Sequence, residues 1–292
     1  MKTGTLYACL AALFCLAAWT HHACEDALRA PAPPASPHRI ISLAPSVTET
    51  LYALGMGDKI VGITQFCAYP PEVRNKPHVA GFGEVNYEAV LRLRPDLVIL
   101  PQDQAQNKKD LENLGLPVLT LDTRSMPGLM HTIEALGKAT GYTSEAHAAL
   151  AAINNSLAAA QLRAGERPKP KVLFSVMHAY QGLGYITEIH AVGKDGFYSE
   201  LIRAAGGSKV YTGPLAFPCL SREAIIFLNP EIIIDSIPAS ANLDAVRRDW
   251  QSLSSVSAIQ NHRLYLFTDE ADTVPGPRFY QTLTKLSHAF YP

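Results

Sequence analysis

The sequence predicts an α/β protein of two pseudo-symmetric lobes, each with a parallel sheet, joined by one long α-helix. Three observations predict it: strands alternate with helices in both halves, a segment of the first half recurs in the second, and an unbroken helical pattern separates the two copies. At about 150 residues per domain, 292 residues are enough for two domains. A net charge of -1 and 48% hydrophobic residues exclude a disordered chain and give no electrostatic footprint for nucleic acid.

The N-terminal segment, residues 1–23, is predicted to be a signal peptide. Lys2 precedes an apolar run, Leu6–Trp19, that is as long as a signal-peptide core and shorter than the about 20 residues that span a bilayer. Cys24 follows Ala23, an arrangement that favours lipidation at the outer face of the cytoplasmic membrane. Two histidines precede Ala23, which is unusual for a lipidation site, so ordinary cleavage nearby remains open. Either route predicts export.

The remaining chain is predicted to have four parts. Residues 24–37 are rich in proline and alanine and form an extended tether. Residues 38–140 form the first lobe and residues 168–292 the second. Between them, residues 141–167 form the linking helix, because apolar residues recur at helical spacing from Ser144 to Glu166 with no proline and no glycine before Gly165.

The two lobes share a duplicated segment. Tyr87–Ile99 matches Arg222–Ile234 at an offset of 135. In each copy Asn86 or Ser221 can cap a short helix, a glutamate follows near its start, and a proline precedes an apolar run typical of a strand buried on both faces. A second pair, 51–60 and 202–210, predicts a helix stopped by glycine and followed by a strand. The other strands are predicted at 39–44, 60–64, 118–122, 172–176, 210–211 and 264–268.

In its duplication and in five short segments, the chain resembles the periplasmic solute-binding proteins of ABC importers for cobalamin, haem and ferric siderophores. The resemblance implies a binding protein rather than an enzyme, with a ligand cleft between two lobes and no resident cofactor. The implied partners are an ABC permease with its ATPase subunits and a small-molecule ligand, and the implied state is a monomer. The segments that carry the resemblance are 40–49, 68–72, 93–99, 221–223 and 275–278.

In that family one glutamate on each lobe docks onto arginines of the permease. The matching positions are Glu88 and Glu223. The alternative is that an acidic residue in a first helical turn only favours the helix dipole.

The ligand residues are predicted from loops at the carboxyl ends of strands, where clefts of open α/β sheets lie. These loops supply flat aromatic faces for a corrin or porphyrin and an arginine for a carboxylate or phosphate. The predicted contacts are Cys67, Tyr69, Phe82, His178, Tyr180, Tyr185, Phe217, Cys219 and Arg278.

The two cysteines of the body, Cys67 and Cys219, leave three interpretations open. They are unrelated small residues, soft ligands of a metal within the ligand, or a disulfide that clamps the lobes. Tyr69 and His178 are the other candidate axial ligands. No site for a free metal ion is predicted.

The ligand is predicted to be cobalamin or another cobamide, then haem, then a ferric siderophore. Cobalamin receptors commonly stack tryptophans on the corrin, whereas Trp250 is the one tryptophan of the body. Two hypotheses assign the protein to another functional class: a tetrapyrrole chelatase-like enzyme and a structural surface lipoprotein. The sequence has no GxSxG, HExxH or P-loop motif for the former.

Overall fold

A computed structural model describes residues 31–34, 36–81, 84–178 and 184–292. The predicted signal peptide, the lipidation site Cys24 and most of the tether lie outside these ranges. Within them, no helix is both long enough and apolar enough to cross a membrane.

The first lobe contains a five-stranded sheet in the order β3-β2-β1-β4-β5, and all its strand pairs are parallel. Its central strand pair is apolar and buried on both faces, as the continuous apolar run of residues 97–99 predicts. The strands are β1 Ile40–Ser42, β2 Ile60–Thr64, β3 His78–Ala80, β4 Leu97–Pro101 and β5 Val118–Leu121. The helices are α1 Pro45–Ala53, α2 Tyr87–Arg92, α3 Ala105–Asn113 and α4 Met126–Thr140.

The linking helix α5 spans Thr143–Ala164, within two residues of the helical pattern that runs from Ser144 to Glu166. Its 22 residues extend about 33 Å at about 1.5 Å per residue. Gly141 ends α4 in the left-handed conformation, with φ 81°, and lets the chain turn directly into α5. The long uninterrupted helix therefore follows from a glycine stop before it and the lack of a breaker within it.

The second lobe contains a six-stranded sheet in the order β11-β10-β6-β7-β9, with β8 paired to β6. The expectation of a parallel sheet holds for β6, β8, β10 and β11, but β7 runs antiparallel to β6 and β9, so this sheet is mixed. The strands are β6 Lys171–His178, β7 Glu188–Ala191, β8 Ser208–Lys209, β9 Cys219–Ser221, β10 Ile232–Ser236 and β11 Leu264–Phe267. The helices are α6 Phe197–Ala204, α7 Arg222–Leu228, α8 Leu243–Gln251, α9 Ser257–Gln260 and α10 Phe279–Phe290.

The duplicated segment has the same local structure in both lobes. Asn86 caps α2 and Ser221 caps α7, each by accepting a hydrogen bond from a backbone N–H three residues on. After each helix the chain turns through a left-handed residue, Arg94 and Asn229, both with φ 44°. The acidic residue after the proline is also equivalent, because Asp96 and Glu231 both accept backbone N–H groups at the start of the first strand of their lobe.

One hydrophobic core runs through both lobes and the linking helix. It joins Ile40 of β1, Ile153 of α5 and Ile234 of β10, all fully buried. The outer face of each sheet has a separate cluster, with Val98 in the first lobe and Trp250 in the second. The two lobes therefore share packing along the linking helix and are not independent bodies on a flexible tether.

The contact of α6 with the end of α5 depends on Gly206. Its φ is 90°, and a Cβ there would lie 2.7 Å from the Cβ of Ala164 and 2.8 Å from the ring of Tyr291. We expect Gly206→Ala to lower the free energy of unfolding by about 2–4 kcal/mol, because left-handed strain adds to overpacking. Gly115→Ala is the matched control, since Gly115 has φ 75° and open space around its Cβ position. Urea unfolding measures both variants, and equal losses would contradict the packing argument.

Candidate functional site

A cavity of about 670 Å³ opens at the carboxyl ends of β6, β10 and β11. This is the end of an α/β sheet at which loops converge and ligands bind. Its walls combine apolar side chains with hydroxyl groups and two carboxylates. The lining residues are Val176, Ser236, Ile237, Pro238, Ala239, Ser240, Thr268, Asp269, Glu270 and Thr273.

The rim of this cavity contacts the first lobe. Glu270 lies 3.7 Å from the guanidinium of Arg74, which belongs to the 3-10 turn Pro71–Asn75. Within the second lobe, Asp269 of the same rim lies 3.7 Å from the guanidinium of Arg278. The cavity is therefore lined by second-lobe residues and meets the first lobe at its rim, where the sequence predicts a ligand cleft.

A buried ion pair joins the lobes beside the cavity. Arg278, at the start of α10, donates two hydrogen bonds to Glu49 of α1, with Nε–Oε2 at 2.9 Å and Nη2–Oε1 at 2.6 Å. The side chain of Glu49 is 4% exposed and that of Arg278 is 12% exposed. This bidentate geometry is the strongest form of arginine–carboxylate contact. The fork of Arg278 is therefore already occupied by Glu49.

Tyr69 packs against the ion pair of Glu49 and Arg278. Its ring centroid lies 3.5 Å from the Cζ of Arg278, so the guanidinium stacks on the aromatic face. Burial raises the pKa of Glu49 although Arg278 acts to lower it. Burial disfavours the charged form of Arg278, but its bonds to Glu49 outweigh this and raise its pKa. The low exposure of both side chains shows that the pair is held in a poorly hydrated position.

Three of the predicted aromatic contacts are available to a ligand. Tyr69, Tyr185 and Phe217 are between 40% and 48% exposed. Phe217 also contacts Tyr198 edge-on, with ring centroids 6.4 Å apart. Tyr198 is buried, which raises its pKa, and its hydroxyl donates to the carbonyl oxygen of Thr273 in the cavity wall at 2.6 Å. Phe217 is thus connected through one side chain to the wall of the cavity.

The sequence from residue 40 to residue 271 matches the periplasmic binding protein family. The chain belongs to this family. An ABC transporter substrate-binding lipoprotein of Bacillus subtilis is 31% identical over 88% of this chain and 81% of that protein. A vitamin B12-binding protein of Vibrio campbellii is 27% identical over 86% of this chain and 89% of that protein. The structure of the periplasmic haem-binding protein RhuT from Roseiflexus has a TM-score of 0.70 at 26% identity, and covers 87% of this chain and 98% of that chain. The predicted fold class and family are confirmed.

In this periplasmic binding protein, Cys67 does not face the cleft, which corrects the expectation from its loop position. It is 3% exposed and belongs to the core shared by both lobes. Its Sγ lies 3.1 Å from Oγ1 of Thr48 and 3.3 Å from Oγ1 of Thr64. The two hydroxyls draw the side chain inward between α1 and β2, so a ligand cannot reach the thiol.

Cys219 has a different environment at the start of the edge strand β9. It is exposed and pairs in register with His190 of β7. Partial desolvation and then the carboxylate of Glu188 raise the pKa of the Cys219 thiol, so the thiolate needed for metal ligation is disfavoured at neutral pH. Cys67 and Cys219 are both free thiols, so within the described residues these two cysteines do not form the predicted clamp between the lobes.

The remaining predicted contacts lie outside the described part of this binding protein. These are Phe82, Tyr180 and the side chain of His178. Within the described residues, no group of three or more histidine, cysteine, aspartate or glutamate side chains could hold a metal ion.

The two candidate docking glutamates both lie on the surface. Glu88 is 86% exposed at its side chain and forms an ion pair with Arg92 one turn later at 3.1 Å. Glu223 is also exposed, and its own backbone N–H and the Ser221 hydroxyl lower its pKa, so it is ionised at neutral pH. Their equivalent positions on α2 and α7 are compatible with docking, which stays a prediction.

Sequence reasoning missed the acidic side of the site. Glu49, Asp269 and Glu270 were not among the predicted ligand contacts, although Glu49 ends one of the segments that carry the family resemblance. A first-lobe cavity of about 730 Å³ at the ends of β2 and β3 is lined by Gln65 and Glu84, whose loops the sequence does place at the cleft. The detectable signal for Asp269 and Glu270 was positional, because both follow β11 within three residues at the carboxyl edge of the sheet.

Proposed function

We propose that this protein is the extracytoplasmic substrate-binding component of an ABC importer that captures cobalamin or a related cobamide between its lobes and delivers it unaltered to a permease. The Bacillus and Vibrio relatives support this proposal, since they are an ABC transporter substrate-binding lipoprotein and a vitamin B12-binding protein. Export and lipidation of Cys24 belong to the same proposal.

The observation that carries the cobamide is the acidic, hydroxyl-rich wall of the cavity at the lobe boundary. Asp269 and Glu270 lie on it, and backbone donation from Ala271 lowers the pKa of Asp269, so that carboxylate is ionised at neutral pH. The rim of a corrin carries amide groups, whose N–H donors such acceptors can bind. Haem propionates and most ferric siderophores are anionic, and this wall repels them.

The positive charge of Arg278 does not make the cavity favour anionic ligands over a cobamide. Its guanidinium is bound to Glu49 and lies close to Asp269, so an anionic ligand would have to compete with carboxylates already in place. Tyr185 and Phe217, which are 48% and 45% exposed, are the predicted contacts that can supply flat apolar area for the ring itself. A ring that is apolar in its plane and rich in amides at its rim needs both the acceptors of this wall and such aromatic area.

Titration of the purified protein with cyanocobalamin, hemin and a ferric siderophore tests this assignment. We expect saturable binding of cyanocobalamin at one site and at least about 10-fold weaker binding of the two anionic ligands, because the carboxylates of Asp269 and Glu270 on the wall disfavour a negatively charged ligand. Isothermal calorimetry gives the affinities, and absorbance spectra give the stoichiometry. Tighter binding of hemin than of cyanocobalamin would overturn the assignment.

Asp269→Asn with Glu270→Gln sharpens this test. The double variant removes the negative charge of both side chains while keeping their shape. We therefore expect the ratio of the affinities for cyanocobalamin and hemin to decrease. Glu134→Gln, an exposed acid on α4, is the matched control and leaves both affinities unchanged.

Haem is the second candidate, favoured by the exposed phenol of Tyr185 and by the structural relative that binds haem. A tyrosine can ligate haem iron directly, and hemin bound in this way would show a shifted absorbance spectrum that Tyr185→Phe abolishes. The chelatase-like alternative predicts a change of the metal within the tetrapyrrole during the same titration. We expect the ligand to be recovered chemically unchanged.

A further inference from the structure

A further cavity, of about 500 Å³, lies between the C-terminal part of α5 and the second half of α10. This α5–α10 cavity is large enough for a small organic molecule. Its lining contains no carboxylate among the described residues, but it contains two arginines, a histidine and three hydroxyl side chains: Arg163, Arg167, His288, Ser156, Thr284 and Ser287. His288 lies ten residues along α10 from Arg278, about 15 Å at about 1.5 Å per residue, so the α5–α10 cavity is separate from the candidate cleft.

The positive charge of the two arginines is not neutralised by an acid. Nη2 of Arg163 lies 2.9 Å from Nε2 of His288, and because a guanidinium has only donors, this ring nitrogen accepts. The guanidinium of Arg167 stacks on the ring of Tyr291, with its Cζ 4.3 Å from the ring centroid. Within the described part of the chain, neither arginine forms an ion pair with a carboxylate. The cavity therefore favours an anion.

The alternative is that these arginines only satisfy carbonyl groups at the ends of the two helices. For α10, Arg263 already donates to two of the last carbonyl oxygens, at 3.0 and 2.8 Å. Arg163 and Arg167 each reach a carbonyl oxygen only at 3.4 Å, which is longer than an ordinary hydrogen bond. Because each guanidinium has five N–H donors, most of these donors remain for a ligand.

Ser287 supplies a hydroxyl group that no other described residue uses. It is 2% exposed, and its Oγ has no hydrogen-bond partner within the described residues. The other two hydroxyls differ, because Ser156 and Thr284 lie 3.0 Å apart and both contact the carbonyl oxygen of Tyr280, at 3.0 and 2.8 Å. Their single hydrogens are thus committed. A buried hydroxyl without a partner is costly, and a ligand oxygen in the cavity would satisfy it.

We propose that the α5–α10 cavity binds the phosphate group of an organic phosphate, either a soluble ester or a lipid headgroup. Arg163 and Arg167 provide charge-assisted hydrogen bonds to the phosphate oxygens, for which the planar guanidinium fork is suited. Ser287 donates its hydroxyl to the same group. Leu162, which is 83% exposed and lines the cavity, contacts the carbon skeleton. This site is independent of the ligand assigned to the candidate cleft.

Calorimetry of the purified protein with glycerol 3-phosphate, at constant ionic strength, tests the soluble form of this ligand. Cosedimentation with phosphatidylcholine vesicles that contain phosphatidylglycerol tests the lipid form. We expect saturable binding of at least one of the two probes. Arg163→Gln with Arg167→Gln is expected to weaken that binding at least about 10-fold, because it removes charge-assisted bonds. The matched control is Arg247→Gln with Arg248→Gln, which removes the same charge from two exposed arginines of α8.

Ser287→Ala separates binding from folding. Since its hydroxyl has no partner within the described residues, we expect an unchanged midpoint of urea unfolding and about 5-fold weaker binding of the phosphate probe. Cyanocobalamin affinity stays the same in all these variants. Failure of both probes to bind, or equal weakening by the two double arginine variants, would overturn the proposal. So would a parallel loss of cyanocobalamin affinity, which would place the phosphate in the cleft.

Discussion

Arg278→Met is expected to lower the free energy of unfolding by about 3–5 kcal/mol at neutral pH, because it leaves the carboxylate of Glu49 buried without its cation. Glu49 is 4% exposed, and both of its oxygens accept hydrogen bonds from Arg278. The methionine keeps most of the stem that packs at the lobe boundary. Urea unfolding followed by circular dichroism measures the change.

The pH dependence of the free energy of unfolding shows whether Arg278→Met acts through the charge of Glu49 or through lost packing. Burial already raises the pKa of Glu49 above its ordinary value of 4.5. A carboxyl with a raised pKa in the folded state contributes stability that is fully present below its unfolded pKa and lost as the pH rises through the folded pKa. Arg278 acts to lower that pKa. Its removal raises the pKa further, so Arg278→Met loses more stability than the wild type as the pH increases from 4.5 to neutrality.

Two further variants make the result decisive. Arg74→Met removes a 64% exposed guanidinium that lies 3.7 Å from Glu270, and is expected to change stability by no more than about 1 kcal/mol. Glu49→Leu combined with Arg278→Met replaces both charges by apolar groups and should recover most of the loss. Equal losses for Arg278→Met and Arg74→Met would show that the buried pair does not hold the lobes.

Reversal of both docking charges, Glu88→Lys with Glu223→Lys, is expected to lower uptake of the ligand by at least about 100-fold while ligand affinity stays unchanged. Both carboxylates are exposed, and neither lines the cavity. Two positive charges would repel the permease arginines that the family resemblance implies. Uptake by cells and calorimetry on the purified protein measure the two quantities.

The control for this experiment is Asp244→Lys. Asp244 is an exposed acid in the first turn of α8, so its reversal disturbs a helix dipole without touching α2 or α7. Normal uptake by the Glu88→Lys, Glu223→Lys double variant would remove the docking assignment and leave the helix-dipole interpretation. Loss of uptake in Asp244→Lys would show that the assay reports a general effect of charge.

Prediction from sequence succeeded where structure depends on local pattern. The strand β2 was predicted with its observed ends, and α5 within two residues, because an apolar run and an absence of breakers are local properties. It failed for β3, β7 and β9, which are short and gain their hydrogen bonds from neighbouring strands. β7 and β9 pair antiparallel with each other, and no signal within either segment specifies that partner.

In the candidate site, too, the sequence predicted which segments take part but not how their side chains are arranged. Tyr69 and Arg278 were both predicted as ligand contacts, yet the structure shows that they stack on each other across the lobes. Cys67 was placed near the cleft by its position in a loop, but packing between α1 and β2 turned its side chain into the core. Loop position fixes where the backbone lies, whereas side-chain direction depends on residues distant in the chain.

By itself, the sequence determined the α/β class, the duplication, the linking helix and the family, since each follows from spacing and order along the chain. Only the tertiary structure decided that Glu49 and Arg278, 229 residues apart, form the buried contact between the lobes, and that carboxylates line the cavity beside it. The physical reason is that an ion pair and a cavity wall are properties of distances between remote residues, and chain folding sets those distances only after all helices and strands have packed together.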